Sequence, residues 1–269
     1  MTDPTATATT GTPAGGTTDT PAPGARGFAG WPPDAPVFLA ELAQDNTREF
    51  WLANVHRYRA ALLAPTRALA AELAAEFGAV RVFRPHVDRR FRPAADPYRT
   101  DAGLTASWPG GTPHALVLSP RGLAVQVGPL LFDAEQRRRY REAVDGAPGE
   151  DLVAVLARLH DAGLAPDGVA ALASRPRGCP RDHPRLPLMR LRGLHVDRAW
   201  PAGAWLATAE PLDRVRAAWR AARPLADWLD RNVGPRTDPV AAPRARAARA
   251  GDDGPVDDGA VDDGPATHS

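Results

Sequence analysis

The sequence contains no lysine: all 33 of its Lys and Arg positions are arginine. A genome-wide compositional bias is the simplest origin of this, but the absence still excludes chemistry. There can be no P-loop lysine, no Schiff base and no catalytic ammonium. The chain has one cysteine, Cys179, so it forms no internal disulfide, which fits a reducing compartment. Its seven histidines are scattered, and there is no cysteine pair and no HExxH, so neither a zinc site nor another bound metal is expected. GxSxG, Walker and GxGxxG patterns are missing as well. The common hydrolase, nucleotide and dinucleotide readings lack support, and no cofactor is expected. The longest uncharged run, Ala102 to Pro120, is broken by Gly, Pro, Ser and Thr and is no membrane span. The first residues show neither a basic n-region nor an apolar h-region, so a cytoplasmic protein without a membrane partner is expected.

What is present falls into three parts. Residues 1–27 are Thr, Ala, Pro and Gly with almost no large apolar side chain, and are expected to be disordered because they cannot offset the entropy of ordering. Residues 236–269 are expected to be disordered too, an Ala/Arg stretch followed by a low-complexity acidic tail with three Asp-Asp pairs. Between them, residues 28–235 suffice for one domain with a proper core. That domain carries 28 Arg against 23 Asp and Glu, a net of +5, which the three acidic pairs hide in the overall charge of +1. A mildly basic domain favours anionic ligands, with the tail competing for the same surface.

Helices outnumber strands in the pattern. A short helix is predicted over Pro36–Ala43 with Asp34 as its cap, and a longer one over 47–77, opened by a capping box with Asn46 in the cap role and interrupted at Pro65. Val80 to Phe91 changes to period two, so one or two strands are expected around Pro85. His114–Ser119 and Gly122–Val127 flank Pro120-Arg121 as a hairpin. Asp133 opens a capping-box helix that Gly146 ends, and Glu150–Ala162 forms another, closed by Gly163. A possible strand lies near Leu194-His195-Val196. A last helix, capped by Thr208 and interrupted at Pro224, stops at Gly234. The fold class that follows is α+β, a small antiparallel sheet packed with several helices.

Two arginine-dense stretches stand out. Residues 81–99 hold six Arg and two acids, and residues 175–198 hold seven Arg and two acids. Guanidinium groups stay charged and bind phosphate or carboxylate bidentately, so a cluster not neutralised locally invites an anion.

With its elements placed, the chain resembles the bacterial and fungal family known as domain of unknown function 2461, over roughly residues 28–233. Four islands carry the resemblance. They are Phe38-Leu39 through Asn46-Thr47-Arg48-Glu49-Phe50-Trp51; Phe83-Arg84 with Asp88, Arg90, Phe91 and Pro97-Tyr98-Arg99-Thr100; the hairpin with Gly122-Leu123; and Pro176-Arg177-Gly178 with Asp182-His183-Pro184 and Leu188-Met189-Arg190. The resemblance implies a fold but no activity. The chain departs from the family pattern at Ala94-Ala95 and Ala173, where the family has an Asp-Lys pair and a lysine, and it carries Arg99 and Arg192 in place of others.

The working hypothesis is a cleft between the 83–100 segment and the 175–190 loop that binds a small phosphorylated or carboxylated ligand. Its candidate ligand-binding residues are Arg84, Arg90, Arg99, Tyr98, Arg175, Arg177, Asp182, His183 and Arg190. If the strand is unbroken, Arg84, His86, Asp88 and Arg90 share a face, making Asp88 or His86 candidates for general acid–base catalysis beside a bound anion. The structural alternative is a scaffold domain in which Asp88 and Asp182 pair with arginines of the other segment. A second alternative is nucleic-acid binding, with Phe83, Phe91, Tyr98 and Trp108 as stacking platforms; the low aromatic content argues against it. Cys179, Asp182 and His183 invite a Cys/His/Asp reading, but Pro180 and Pro184 make a helix there unexpected, so spacing alone does not bring them together. Enzyme, ligand and oligomeric state stay open at this level.

Overall fold

The computed structural model describes residues 27–87, 95–166 and 169–237. Their elements run α1 (Asp34–Gln44), α2 (Arg48–Arg57), a π-helical turn (Tyr58–Leu63), α3 (Ala64–Phe77), β1 (Val80–Val82), β2 (Ala102–Ser107), β3 (Pro113–Ser119) and β4 (Gly122–Val127). There follow α4 (Ala134–Asp145), α5 (Pro148–Asp161), a single turn α6 (Leu186–Met189), β5 (Val196–Pro201), a 3-10 turn (Ala204–Ala207) and α7 (Glu210–Asn232). The five strands form one antiparallel sheet in the order β1-β2-β3-β4-β5. The α+β expectation therefore holds. The tails fall almost wholly outside the described residues. The chain is still held at Thr237, whose backbone N–H donates to Asp133 Oδ2 at 2.9 Å.

Period two decides which face of the sheet is covered. The row Val82, Leu104, Leu116, Val125 lies in register across β1 to β4, and Leu104, Leu116 and Val125 are buried with α1, α3 and α7 against them. The neighbouring row is Arg81, Thr105, Ala115, Gln126, which points the opposite way and carries polar groups. That parity creates a second face with no helix assigned to it. Gly103 lies on the same face, where a Cβ would run into the β3 backbone and crowd the Phe83 ring; only glycine lets that ring settle on Ala115 and Val117.

Several local readings shift by a residue or more. Thr47, not Asn46, caps α2 by accepting from Phe50 N at 3.2 Å. Asn46 instead donates to Tyr98 O (3.0 Å) and accepts from Tyr98 N (2.9 Å). Asp34 sits inside the first turn of α1 rather than capping it, and pairs with Arg57; that guanidinium holds its carboxyl below the usual range. The long helix is continuous, and the π turn sits just before Pro65, so the missing proline N–H falls where the hydrogen-bond register is already changing. Helix α7 runs through Pro224 unbroken; Pro224 is exposed, so the carbonyl it leaves without a partner can face water. The hairpin with Ser119 opposite Gly122 and the Asp133–Gln136 capping box form where expected.

Candidate functional site

The expected long strand stops at Val82. Beyond it the chain continues as a loose ladder: His86 bridges Tyr98, Val87 N donates to Pro97 O, and Arg99 N donates to Pro85 O. Asp88 and Arg90 lie outside the described residues, as does Phe91, so the shared strand face of Arg84, His86, Asp88 and Arg90 is not part of the described structure. Tyr98 is buried and stacks on Trp51, centroids 4.4 Å apart at 11°. His86 is exposed and lies against the same two rings, 5.9 Å from Trp51 and 5.1 Å from Tyr98. Arg99 spans Asp101, to which its Nε donates at 2.7 Å, and the Phe83 ring, 4.4 Å from its guanidinium carbon. Arg84 is exposed.

The second arginine stretch lies elsewhere. It leads into β5, the edge strand opposite β1, and four inter-strand steps place those edges about 19 Å apart. Its described side-chain bonds go mainly to backbone carbonyls and to α4, with an Arg185–Glu150 ion pair of 3.8 Å to α5. Arg175 donates to Cys179 O, and Arg190 donates to Leu172 O and Ala173 O. Arg185 donates to Val144 O, Asp145 O and Gly146 O, closing the C-terminal end of α4, where a cation meets the negative end of the helix dipole. His183 Nδ1 accepts from Arg185 N, leaving Nε2 to donate to Asp145 Oδ1 at 3.0 Å. Cys179 is buried and its thiol faces Pro180 O, so no Cys–His couple forms. Arg177, Arg181 and Asp182 are exposed. Among the described residues the two stretches share no hydrogen bond or ion pair, and the cleft expected between them is not formed.

A groove of about 1150 Å³ does form, on the second face of the sheet, and it wraps round the strand ends to the end of α7. Arg81, Arg84, His86 and Arg99 line one stretch of it, Thr105, Ala115 and Gln126 its floor, and Gly234, Pro235 and Arg236 the far end. Four arginines and two histidines are among its described lining residues, and no Asp or Glu is. Arg81 and Arg84 have no hydrogen-bond or ion-pair partner among the described residues, whereas Arg236 donates to Leu131 O at 3.0 Å. Arg99 is matched by Asp101, so the excess positive potential of this concave surface comes from Arg81 and Arg84.

The inner wall of the groove carries His114, 1% exposed and boxed by Trp108, Trp219 and Phe77 at 4.1, 4.5 and 6.0 Å. Among the described residues neither of its ring nitrogens has a hydrogen-bond partner, nor does Trp219 Nε1. Burial pushes the imidazole down to about 4; the Thr112 backbone opposes this and the Arg223 charge adds to it. Sequence reasoning missed Arg81, Gln126 and His114. The signal was available for Arg81, since it stands between Val80 and Val82 and must face away from the side their apolar groups cover.

Among the described residues no group of three His, Cys, Asp or Glu side chains could hold a metal ion, and no helix is long and apolar enough to cross a membrane. Fold and groove together define an α+β protein whose five-stranded sheet is covered by helices on one face and bears an arginine-lined hollow on the other. The chain belongs to the family described as "Conserved hypothetical protein (DUF2461)", whose model matches residues 34–228. No curated protein and no solved structure matches the chain.

Proposed function

We propose that the groove on the second face of the sheet binds a small polyanion, phosphorylated or carboxylated, through Arg81, Arg84 and Arg99. The observation that carries this is the lining: four arginines and no Asp or Glu among the described lining residues, with Arg81 and Arg84 without a described partner and Arg99 paired with Asp101 just outside the lining. A guanidinium left solvated at a concave surface binds a planar or tetrahedral oxyanion through paired N–H donors. The groove has ample room, since ligand pockets typically run to about 300–1,000 Å³. The reading is one of binding rather than catalysis, because among the described residues the His86 side chain makes only ring contacts and has no carboxylate partner.

The structural alternative has its own support in the second stretch, where Arg175, Arg185 and Arg190 bond to carbonyls and fasten the loop to α4. Nucleic-acid binding is weakened because Tyr98 and Trp108 are buried, which leaves Phe83 as the one Phe, Tyr or Trp ring among the groove's described lining residues. Thermal unfolding with pyrophosphate and with citrate tests the proposal. A ligand at 100 times its dissociation constant adds about 2.7 kcal/mol of stability. Stabilisation is expected in the unmodified protein and in Arg177→Gln, and is expected to disappear in Arg81→Gln/Arg84→Gln. Retained stabilisation in the double variant, or none in any protein, overturns it.

A further inference from the structure

We infer that the chain's own acidic segment, residues 251–264, occupies the arginine-lined groove and competes with whatever anion enters it. The inference rests on the anion-binding reading of the groove but names a different occupant. Three observations carry it.

First, the described chain ends at the groove. Gly234, Pro235 and Arg236 line its far end, and Thr237, the last described residue, is fastened beside it by Asp133. Whatever follows Thr237 leaves from the rim.

Second, the charges are complementary. The segment reads Gly-Asp-Asp-Gly-Pro-Val-Asp-Asp-Gly-Ala-Val-Asp-Asp-Gly, three acidic pairs and no cation, while the described lining of the groove holds arginines and no acid. The pairs recur every five residues, at most about 17 Å apart along an extended chain, so successive pairs can address different arginines.

Third, the reach suffices. Fourteen residues lie between Thr237 and Asp252, and the fifteen steps that join them set an upper reach of about 50 Å. Tethering makes the encounter intramolecular, so a weak contact is populated without high intrinsic affinity.

Two other partners compete for the same carboxylates. Arg244, Arg246 and Arg249 lie on the tail itself, and the exposed Arg177 and Arg181 lie on the 175–190 loop. The groove is favoured over the loop because it is concave, because it begins where the tail begins, and because the loop carries Asp182 of its own. Exposed ion pairs are individually weak and screened by salt. The contact is therefore a displaceable one, released by a competing polyanion or by ionic strength.

The test uses full-length protein and tripolyphosphate as the probe, followed by calorimetry. In one variant the acidic pairs are neutralised as Asp252→Asn, Asp253→Asn, Asp257→Asn, Asp258→Asn, Asp262→Asn and Asp263→Asn. At low salt the neutralised chain is expected to bind the probe about ten-fold more tightly than the unmodified chain, as the loss of several exposed ion pairs predicts. The difference is expected to vanish near 0.5 M salt. Equal, measurable affinities at low salt overturn tail docking and leave the anion reading standing.

A synthetic peptide of residues 251–264 added to the neutralised chain supplies the second measurement. Binding that is lost on Arg81→Gln/Arg84→Gln supports the groove as the docking surface. Peptide binding indifferent to those two arginines places the contact elsewhere and overturns the inference, as does no peptide binding. Should tripolyphosphate bind neither chain while the peptide binds through Arg81 and Arg84, the small-ligand reading falls and tail docking survives.

Discussion

Acidification from pH 7 to pH 5 should destabilise this protein through His114, and the size of the effect follows from its burial. The ring is 1% exposed, enclosed by Trp108, Trp219 and Phe77, with Arg223 the charged group that acts on it from α7. Its folded value is about 4 against 6.5 for the free side chain. Between those values the unfolded chain binds more protons than the folded one, so stability rises with pH across that window and is lost as pH falls through it. A tenfold difference in proton affinity between the two states is worth about 1.36 kcal/mol, so about 2 kcal/mol is lost at pH 5 and about 3.4 kcal/mol well below pH 4. Carboxyls held down by arginines, Asp34 and Glu76 among them, also lose stability on acidification, but they are present in both proteins of the comparison. Urea unfolding of the unmodified protein and of His114→Phe at several pH values isolates the effect, because the difference removes every group the two proteins share. The unmodified protein should lose about 2 kcal/mol more than the variant between pH 7 and pH 5. Parallel pH dependences would refute the argument and would mean that the imidazole finds a partner or is hydrated in solution.

Asn46→Ala should cost about 1–3 kcal/mol by removing both hydrogen bonds to the Tyr98 backbone, and Asn46→Asp should not restore stability, because a carboxylate cannot donate to Tyr98 O; chemical denaturation reads both. Arg185→Ala should destabilise by about 2 kcal/mol, since the carbonyls at the end of α4 lose a charged donor, whereas Arg177→Ala, exposed, should stay within about 0.5 kcal/mol. If the two cost the same, the distinction drawn between the fastened and solvated arginines of that loop is mistaken.

Features encoded within a few residues were legible in the sequence. The Asp133–Gln136 box and the turn at Pro120-Arg121 depend on neighbours three residues apart or fewer, and both formed where their residue types require. Features decided by distant contacts were not. Asn46 and Thr47 are equally good caps on local grounds, and Tyr98, far along the chain, takes the Asn46 side chain. Pro224 reads as a break because the pattern cannot show which side of α7 faces water. The site divided in the same way. The arginine content of both stretches was visible, but the order of strands in the sheet carries them to opposite edges, and strand order is a property of the whole sheet. His114 gave no local signal at all, since only the packed rings around it make it unusual.

Asn46 has one more consequence. Its carboxamide stands in for the backbone of a neighbouring strand, offering Tyr98 one donor and one acceptor from the corner between two helices. The segment bearing Arg84, His86 and Arg99 is thereby fastened to the helical layer by hydrogen bonds as well as by the stacking of Tyr98 on Trp51, like a door with a latch beside its hinge. A change at that corner, which grips the backbone next to Arg99 but not its guanidinium, would set the angle of the cationic wall without touching its charge.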